Sequence, residues 1–203
     1  MNPFKITIDN PLIYVLDQNT KMKEYIVKKI IDDLKIKIKL ILVISQEKFY
    51  QTITNDIFIY EKFNLDIIKR LLYRQQLLLD NYEKRKKMGK ICLILDCDID
   101  YVAYSKFNIF NELMMNARFH NIIFIIIQKI PQGICPEIRF NLDYYFVATY
   151  NSTINSDDLL TKIYEYVNGE KQIVTYEQFS DMYFNNNSFV VSHRKPQTGL
   201  FIY

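Results

Sequence analysis

Residues 91–96, ICLILD, decide the fold of this sequence, because an unbroken apolar run ends in an acid. Such a run is typical of a strand that is covered on both faces of a parallel sheet. Similar runs occur at 12–16 (LIYVL), 40–44 (LILVI) and 122–127 (IIFIII). We therefore predict buried parallel strands at these four places.

Amphipathic segments alternate with the apolar runs. Lys23–Leu34 carries its apolar residues on one helical stripe, and a longer stripe starts after Asn64, a predicted N-cap, and ends before Gly89. This alternation predicts an α/β fold with a mostly parallel sheet and helices on both faces. Residues 188–192 and 200–203 predict a C-terminal β-hairpin.

Shorter patterns complete the predicted element order. They are a strand at 57–60, a helix at 107–117, a strand at 142–148, a helix capped by Ser156, and a helix opened by the T-x-x-Q capping box of 175–178. A chain of 203 residues is long enough for one sizeable core, so we expect a single domain over 1–203.

Composition limits the classes of function. With 49% hydrophobic and 24% charged residues the chain is globular, and no apolar run approaches a membrane span. The N-terminus lacks the regions of a signal peptide, so we expect an intracellular protein that is not secreted. Cys92, Cys97 and Cys135 lack zinc or disulfide spacing, which fits a reducing compartment. The net charge of +3 is too small to indicate nucleic-acid binding alone.

The segment 17–24 follows the first strand, where a Walker A loop (G-x-x-x-x-G-K-[ST]) would lie. Lys23 stands at the phosphate lysine, but Asp17 and Met22 replace the glycines and Glu24 replaces the magnesium-binding hydroxyl. Glycine lets the backbone turn its N–H groups toward phosphate oxygens, whereas methionine crowds that turn and acids repel a polyanion. Lys23 is therefore either the lysine of a working phosphate-binding loop or, as we prefer, a surface lysine in an ordinary strand-to-helix loop.

Two other strand ends carry polar residues, and ligands of open α/β sheets bind beyond such ends. Asp96 matches a Walker B aspartate, which helps to hold Mg²⁺, or it is a turn aspartate. Cys97 stands where a second, water-polarising acid is expected, and Asp98 comes one residue late. Gln128 ends the strand at 122–127, where it either senses a γ-phosphate or bonds to backbone.

Basic residues supply the remaining site predictions. Arg118 and Arg139 could stabilise charge across a subunit boundary, or could be surface arginines. His120 has no second histidine or cysteine at metal-ligand spacing. A basic run is either a solvated helix end or a salt-sensitive DNA contact, and it comprises Lys84, Arg85, Lys86, Lys87 and Lys90.

The order of these pieces resembles the genome-packaging ATPases of large nucleocytoplasmic DNA viruses, poxvirus type. These are P-loop NTPases of the ASCE/RecA type in the FtsK–HerA superfamily. ICLILDCD (91–98) looks like the Walker B strand, and NARFHNIIFIIIQ (116–128) is similar to the G-R-H-x-N block with its sensor strand. PEIRFNLDYYFVATYN (136–151) and SFVVSHRKPQTGLFIY (188–203) resemble the following block and the terminal hairpin.

The resemblance implies an ATP-driven motor that forms a ring and pulls double-stranded DNA into a capsid. It implies that Lys23 is the phosphate lysine, Asp96 the magnesium ligand, Gln128 the sensor and Arg118 the family arginine. The sequence departs from the family at the Walker A loop, at Cys97 and at Ala117, which replaces the glycine before Arg118. The first two departures remove phosphate and metal positioning and water activation. Our first hypothesis is therefore a catalytically inactive homologue without a cofactor, acting as a structural or regulatory component of packaging.

Two alternatives remain open. One is an active but divergent double-stranded DNA translocase that uses Mg–ATP, and the other is a DNA-binding accessory protein that needs no nucleotide. We expect a homo-oligomer, or a hetero-oligomer with an active packaging ATPase, and possible contact with double-stranded DNA. The resemblance places the protein in the host cytoplasm, at the viral factory, or in the virion.

Overall fold

A computed structural model describes most of the chain. The described residues are 5–17, 20–34, 38–53, 56–81, 89–97, 107–129, 139–148, 157–168, 173–186, 188–193 and 198–202. Ser156, the predicted cap of a helix, lies outside them.

The described residues form one eight-stranded sheet with the strand order β3-β2-β4-β5-β1-β6-β7-β8. The strands are β1 Leu12–Leu16, β2 Ile38–Ser45, β3 Ile57–Tyr60, β4 Lys90–Asp96, β5 Ile122–Gln128, β6 Tyr144–Ala148, β7 Ser188–Ser192 and β8 Gly199–Ile202. Strands β1 to β6 pair in parallel, and β7 pairs antiparallel with both β6 and β8. The predicted α/β fold, with its mostly parallel sheet and C-terminal hairpin, is confirmed.

Helices lie between strands along the chain. They are α1 Thr20–Leu34, α2 Leu65–Asp80, α3 Asn108–Asn116, α4 Asp157–Asn168 and α5 Tyr176–Asn185. The predicted caps of two helices are confirmed: the Asn64 side chain accepts a hydrogen bond from the Asp66 amide at 2.8 Å, and Thr175 and Gln178 form a capping box. The predicted start of α1 is wrong, since the helix begins at Thr20 and not at Lys23.

The helices cover both faces of the sheet. Successive strand residues point to opposite faces, so each central strand packs against helices on both sides. On one face, Ile13 and Val15 of β1 pack with Ile30 of α1. On the other face, Tyr14 packs in a cluster with apolar residues of α2, α3, α4 and α5, among them Ile68. Two apolar layers therefore enclose the central strands, which explains their uninterrupted apolar sequences.

The parallel arrangement brings the carboxyl ends of β1, β2, β4 and β5 to one edge of the sheet. Ser45 is the register partner of Asp96, and Leu16 is the register partner of Gln128. We call this the carboxyl edge, and the opposite side the amino edge. Ligands of open parallel sheets bind at a carboxyl edge. None of the helices in the described ranges has the length and apolar character needed to cross a membrane.

Candidate functional site

Lys23 and Asp96 meet at the carboxyl edge. Lys23 lies in the first turns of α1, and Asp96 is the last residue of β4. The Lys23 ammonium lies 3.0 Å from Oδ2 and 3.2 Å from Oδ1 of Asp96, and only 5% of Lys23 is exposed. The structure therefore brings together the two residues predicted to hold phosphate and Mg²⁺, and it places them in direct contact with each other.

Glu47 is a second carboxylate partner of Lys23. It follows β2, the strand beside β4, and its Oε1 lies 3.0 Å from the Lys23 ammonium. A lysine ammonium has three N–H donors. The ammonium donates one hydrogen bond to Glu47 and one to Asp96, and Oδ2 of Asp96 lies 3.0 Å from the same nitrogen as an ion pair.

Asp96 is also held from the side of β2. The Tyr50 hydroxyl donates to Asp96 Oδ2 at 2.9 Å, and the Ser45 hydroxyl lies 3.3 Å from the same oxygen. Ser45 Oγ accepts a hydrogen bond from the Glu47 amide at 3.0 Å. We call Lys23, Ser45, Glu47, Tyr50 and Asp96 the Lys23 cluster. Both oxygens of Asp96 thus have partners within the protein.

Burial and charge set the protonation states in the Lys23 cluster. Burial alone would lower the pKa of Lys23, but the charges and hydrogen bonds of Asp96 and Glu47 outweigh it, and the pKa is raised above its ordinary value of 10.5. Burial, followed by the charge of Asp96, raises the pKa of Tyr50 well above 10.0. At neutral pH Lys23 is therefore charged, and Tyr50 keeps the proton that it donates to Asp96.

The connection between β1 and α1 is short. Only residues 17–19 lie between Leu16 and Thr20, so Met22, Lys23 and Glu24 belong to the helix. The Glu24 carboxylate accepts a hydrogen bond from Lys28, one turn further along α1, at 2.6 Å. The structure thus places Glu24 in a surface ion pair, and Met22 and Lys23 in regular helix.

Gln128 lies at the carboxyl edge, but its side chain lies away from the Lys23 cluster. Its Oε1 accepts a hydrogen bond from the Tyr14 hydroxyl at 2.6 Å. The Tyr14 ring packs 5.4 Å from that of Tyr166 of α4, on the face of the sheet opposite α1. The structure therefore does not bring the predicted sensor amide to Lys23.

Arg118 lies at the amino edge, just before β5. Its guanidinium donates to the Asn141 carbonyl at 2.9 Å and lies 3.4 Å from Oδ2 of the fully buried Asp143. That oxygen also accepts a hydrogen bond from the Leu12 amide at 2.8 Å. The seven residues of β5, at about 3.3 Å each, put about 20 Å between Arg118 and the carboxyl edge. The structure therefore does not bring Arg118 to the carboxyl edge of its own chain.

The other predicted residues also lie away from Lys23. The Arg139 guanidinium stacks 4.8 Å from the centre of the Tyr166 ring. Lys90 begins β4 and pairs with Asp9 at 2.9 Å. His120 Nε2 lies 3.0 Å from a carboxylate oxygen of Glu112 on α3. Asp98 and the run 84–87 lie outside the described residues.

Sequence comparison finds viral relatives. The sequence matches no protein-family model. It is 29% identical to an uncharacterized protein of Acanthamoeba polyphaga mimivirus, over 55% of this chain and 41% of that protein. It is 25% identical to an uncharacterized protein of Frog virus 3, over 77% of this chain and 51% of that protein. The chain thus spans about half or less of the curated relatives that it matches.

Structural comparison finds packaging and secretion NTPases. The genome packaging NTPase of Sulfolobus turreted icosahedral virus 2, in complex with AMPPCP, superposes with a TM-score of 0.64 at 15% identity, over 95% of this chain and 97% of that one. The chain has a P-loop NTPase-like fold. The cytoplasmic domain of the Thermomonospora curvata Type VII secretion ATPase EccC matches at a TM-score of 0.56 and 12% identity, over 94% of this chain and 25% of that one. The predicted resemblance to viral packaging ATPases is confirmed at the level of the fold.

Three residues of the Lys23 cluster are not among those predicted from the sequence, namely Ser45, Glu47 and Tyr50. The predicted second strand ended at residue 44, one residue before Ser45. The rule that polar residues at strand ends mark a site would have found Ser45 and Glu47. No sequence signal indicated Tyr50, because a tyrosine in a short 3-10 helix has no pattern that distinguishes a polar contact from simple packing.

The described residues contain no group of three acidic, histidine or cysteine side chains able to hold a metal ion. Asp96, the predicted Mg²⁺ ligand, has Lys23 where a cation would sit. The Lys23 cluster forms a buried network of ion pairs and hydrogen bonds that joins α1 and β4 to the end of β2 and the segment after it. For it to bind Mg²⁺ or phosphate, these internal contacts would first have to break.

Proposed function

We propose that this protein is a homologue of viral genome-packaging ATPases that acts in packaging without hydrolysing ATP, as a structural or regulatory component. The observation that carries the proposal is the position of the Lys23 ammonium between Asp96 and Glu47, 3.0 Å from a carboxylate oxygen of each. The fold and the viral relatives support the packaging context.

Phosphate binding would require Lys23 to leave its two partners. The side chains of Lys23 and Asp96 are only 6% and 10% exposed, so the separated charges would stay largely out of water. Breaking a buried ion pair in this way costs about 3–5 kcal/mol, less here because Glu47 is 36% exposed. The two carboxylates would then face a polyanion and repel it.

Two further features oppose nucleotide binding. Glycine residues, which let a loop wrap its N–H groups around phosphate, are absent from 17–24. Glu24, at the position of the magnesium-binding hydroxyl, is an anion paired with Lys28. Phosphate and metal positioning are thus weakened by separate changes, and we expect no bound cofactor.

We place the protein within a packaging assembly. We expect the domain to span 1–203 and to associate with copies of itself or with an active packaging ATPase. Double-stranded DNA is a further expected partner, contacted without nucleotide. The viral relatives support a location in the host cytoplasm, at the viral factory, or in the virion.

Calorimetry with Mg–ATP, beside an ATPase assay with and without double-stranded DNA, tests the proposal. We expect neither binding heat at millimolar nucleotide nor hydrolysis above a protein-free blank. The Sulfolobus virus packaging NTPase, assayed in the same buffers, is the positive control. Micromolar Mg–ATP binding that disappears in Lys23→Ala would show that the proposal is wrong.

A second function, an active but divergent DNA translocase, is favoured by one observation. Lys23 and Asp96 lie together at the carboxyl edge, beside the N-terminus of α1, and phosphates bind at such helix N-termini. This alternative predicts DNA-stimulated ATP hydrolysis that is lost in both Lys23→Ala and Asp96→Asn. Hydrolysis that survives both substitutions would point to a contaminating enzyme.

A further inference from the structure

The Lys23 cluster contains more negative than positive charge. Two carboxylates, Asp96 and Glu47, share one ammonium group. Tyr50 and Ser45 contribute neutral hydroxyl groups. The cluster therefore has a net charge of −1 at the edge of the sheet where an anionic ligand of this fold would approach.

The two carboxylates differ in how firmly the protein holds them. Asp96 ends a buried strand, its side chain is 10% exposed, and it has Tyr50 and Ser45 as additional partners. Glu47 lies in the segment after β2, its side chain is 36% exposed, and Lys23 is the side-chain partner observed for its carboxylate in the described residues. Glu47 is therefore the carboxylate that can be removed without disrupting the buried strand.

We propose that Glu47 determines ligand exclusion at this site: its carboxylate occupies Lys23 in place of a phosphate group and keeps small phosphate anions out. This inference rests on the proposed function, because it explains why the site stays closed to nucleotide. Glu47 takes one of the three ammonium donors of Lys23 and adds the charge that makes the cluster negative. Without Glu47, one donor is released and the cluster becomes neutral.

Inorganic pyrophosphate without Mg²⁺ is the probe, because it is small enough to reach a single lysine without a surrounding loop. We expect Glu47→Ala to bind pyrophosphate at least tenfold more tightly than the unchanged protein in calorimetry. Glu47→Gln, which removes the charge but keeps an oxygen acceptor, should show a smaller gain. Lys23→Met in the Glu47→Ala background should abolish the gain.

Glu61→Ala is the matched control. Glu61 follows β3 at the same edge, is exposed, and has no contact with Lys23. Removing its charge changes the net charge of the protein as Glu47→Ala does, but leaves the Lys23 ammonium covered. We therefore expect its pyrophosphate affinity to equal that of the unchanged protein.

A second measurement reads the Lys23 amine directly. Acylation by a water-soluble ester, quantified by mass spectrometry, should be faster at Lys23 in Glu47→Ala and unchanged in Glu61→Ala. Circular dichroism establishes that each variant is folded, and Glu47→Gln replaces Glu47→Ala if the latter is not.

The outcomes separate the two proposals. Unchanged pyrophosphate affinity and unchanged Lys23 acylation in a folded Glu47 variant would overturn the role of Glu47, while the absence of nucleotide binding in the unchanged protein would stand. Tight Mg–ATP binding by the unchanged protein would overturn the proposed function, whatever the Glu47 variants do. A pyrophosphate gain that persists after Lys23→Met would overturn the role of Glu47 by placing the anion elsewhere.

Discussion

Replacing Lys23 with methionine tests the buried ion pair most directly. Methionine keeps much of the apolar stem but removes the ammonium, which lies 3.0 Å from both Asp96 Oδ2 and Glu47 Oε1. Breaking a buried pair by removing one partner costs about 3–5 kcal/mol. Glu47 is more than one third exposed and regains water, so we expect the lower end, about 3 kcal/mol.

Urea denaturation at pH 7, followed by circular dichroism, measures this loss as a lower midpoint with an unchanged slope. At about 2–4 °C per kcal/mol for a chain of this size, we also expect the melting temperature to fall by about 6–12 °C. Lys28→Met is the matched control, because it breaks only the exposed helix pair with Glu24, worth about 0.3–0.5 kcal/mol.

A double variant checks the cause. Asp96→Asn in the Lys23→Met background removes the buried carboxylate charge that has lost its ammonium partner. The double variant should therefore lose less free energy of unfolding than the sum of the losses in the two single variants. If Lys23→Met destabilises the protein no more than Lys28→Met does, the buried ion pair does not hold the site together. The central observation behind the proposed function would then lose its energetic basis.

Three further predictions concern the same network and the amino edge. Tyr50→Phe removes the shorter of the two hydroxyl contacts to Asp96 Oδ2 and should cost about 1–3 kcal/mol in urea denaturation; a loss below about 0.5 kcal/mol would contradict the contact. Because the pKa values of Lys23 and Tyr50 are raised in the folded protein, both groups keep their protons at a pH where the unfolded chain loses them. The free energy of unfolding should therefore fall as pH rises above 10.0, and less steeply in Tyr50→Phe, which has one of these two groups fewer. A flat profile would refute this. Arg118→Met removes a cationic partner of the buried Asp143 and should lower stability by about 2–3 kcal/mol, with thermal melting as the readout; an unchanged melting temperature would contradict it.

The position of Arg118 bears on how an assembly could work. Its guanidinium donates a hydrogen bond to the segment before β6 and lies at the amino edge, separated from the carboxyl edge by the length of β5, about 20 Å. An arginine that stabilises charge on a nucleotide across a subunit boundary would have to extend toward the neighbouring subunit. Arg118 instead contacts Asn141 and Asp143 of its own chain and so links the segment before β5 to the segment before β6.

Several features followed from the sequence alone. Apolar runs predicted the parallel strands, since a strand covered on both faces has no solvent side to show as polar alternation. Asn64 and the box of Thr175 and Gln178 predicted helix starts, because capping is a contact between near neighbours in the chain. Asp96 was marked by its place at a strand end.

Tertiary structure alone decided the partners of Lys23. Glu47 reaches Lys23, and Tyr50 reaches Asp96, only because β2 lies beside β4 in the sheet. The face on which Gln128 lies was also undecided, since one residue of difference in strand register moves a side chain to the other face. Local sequence determined which residues stand at the carboxyl edge, whereas strand order and register determined which of them touch, because contacts between distant segments depend on packing that no local pattern records.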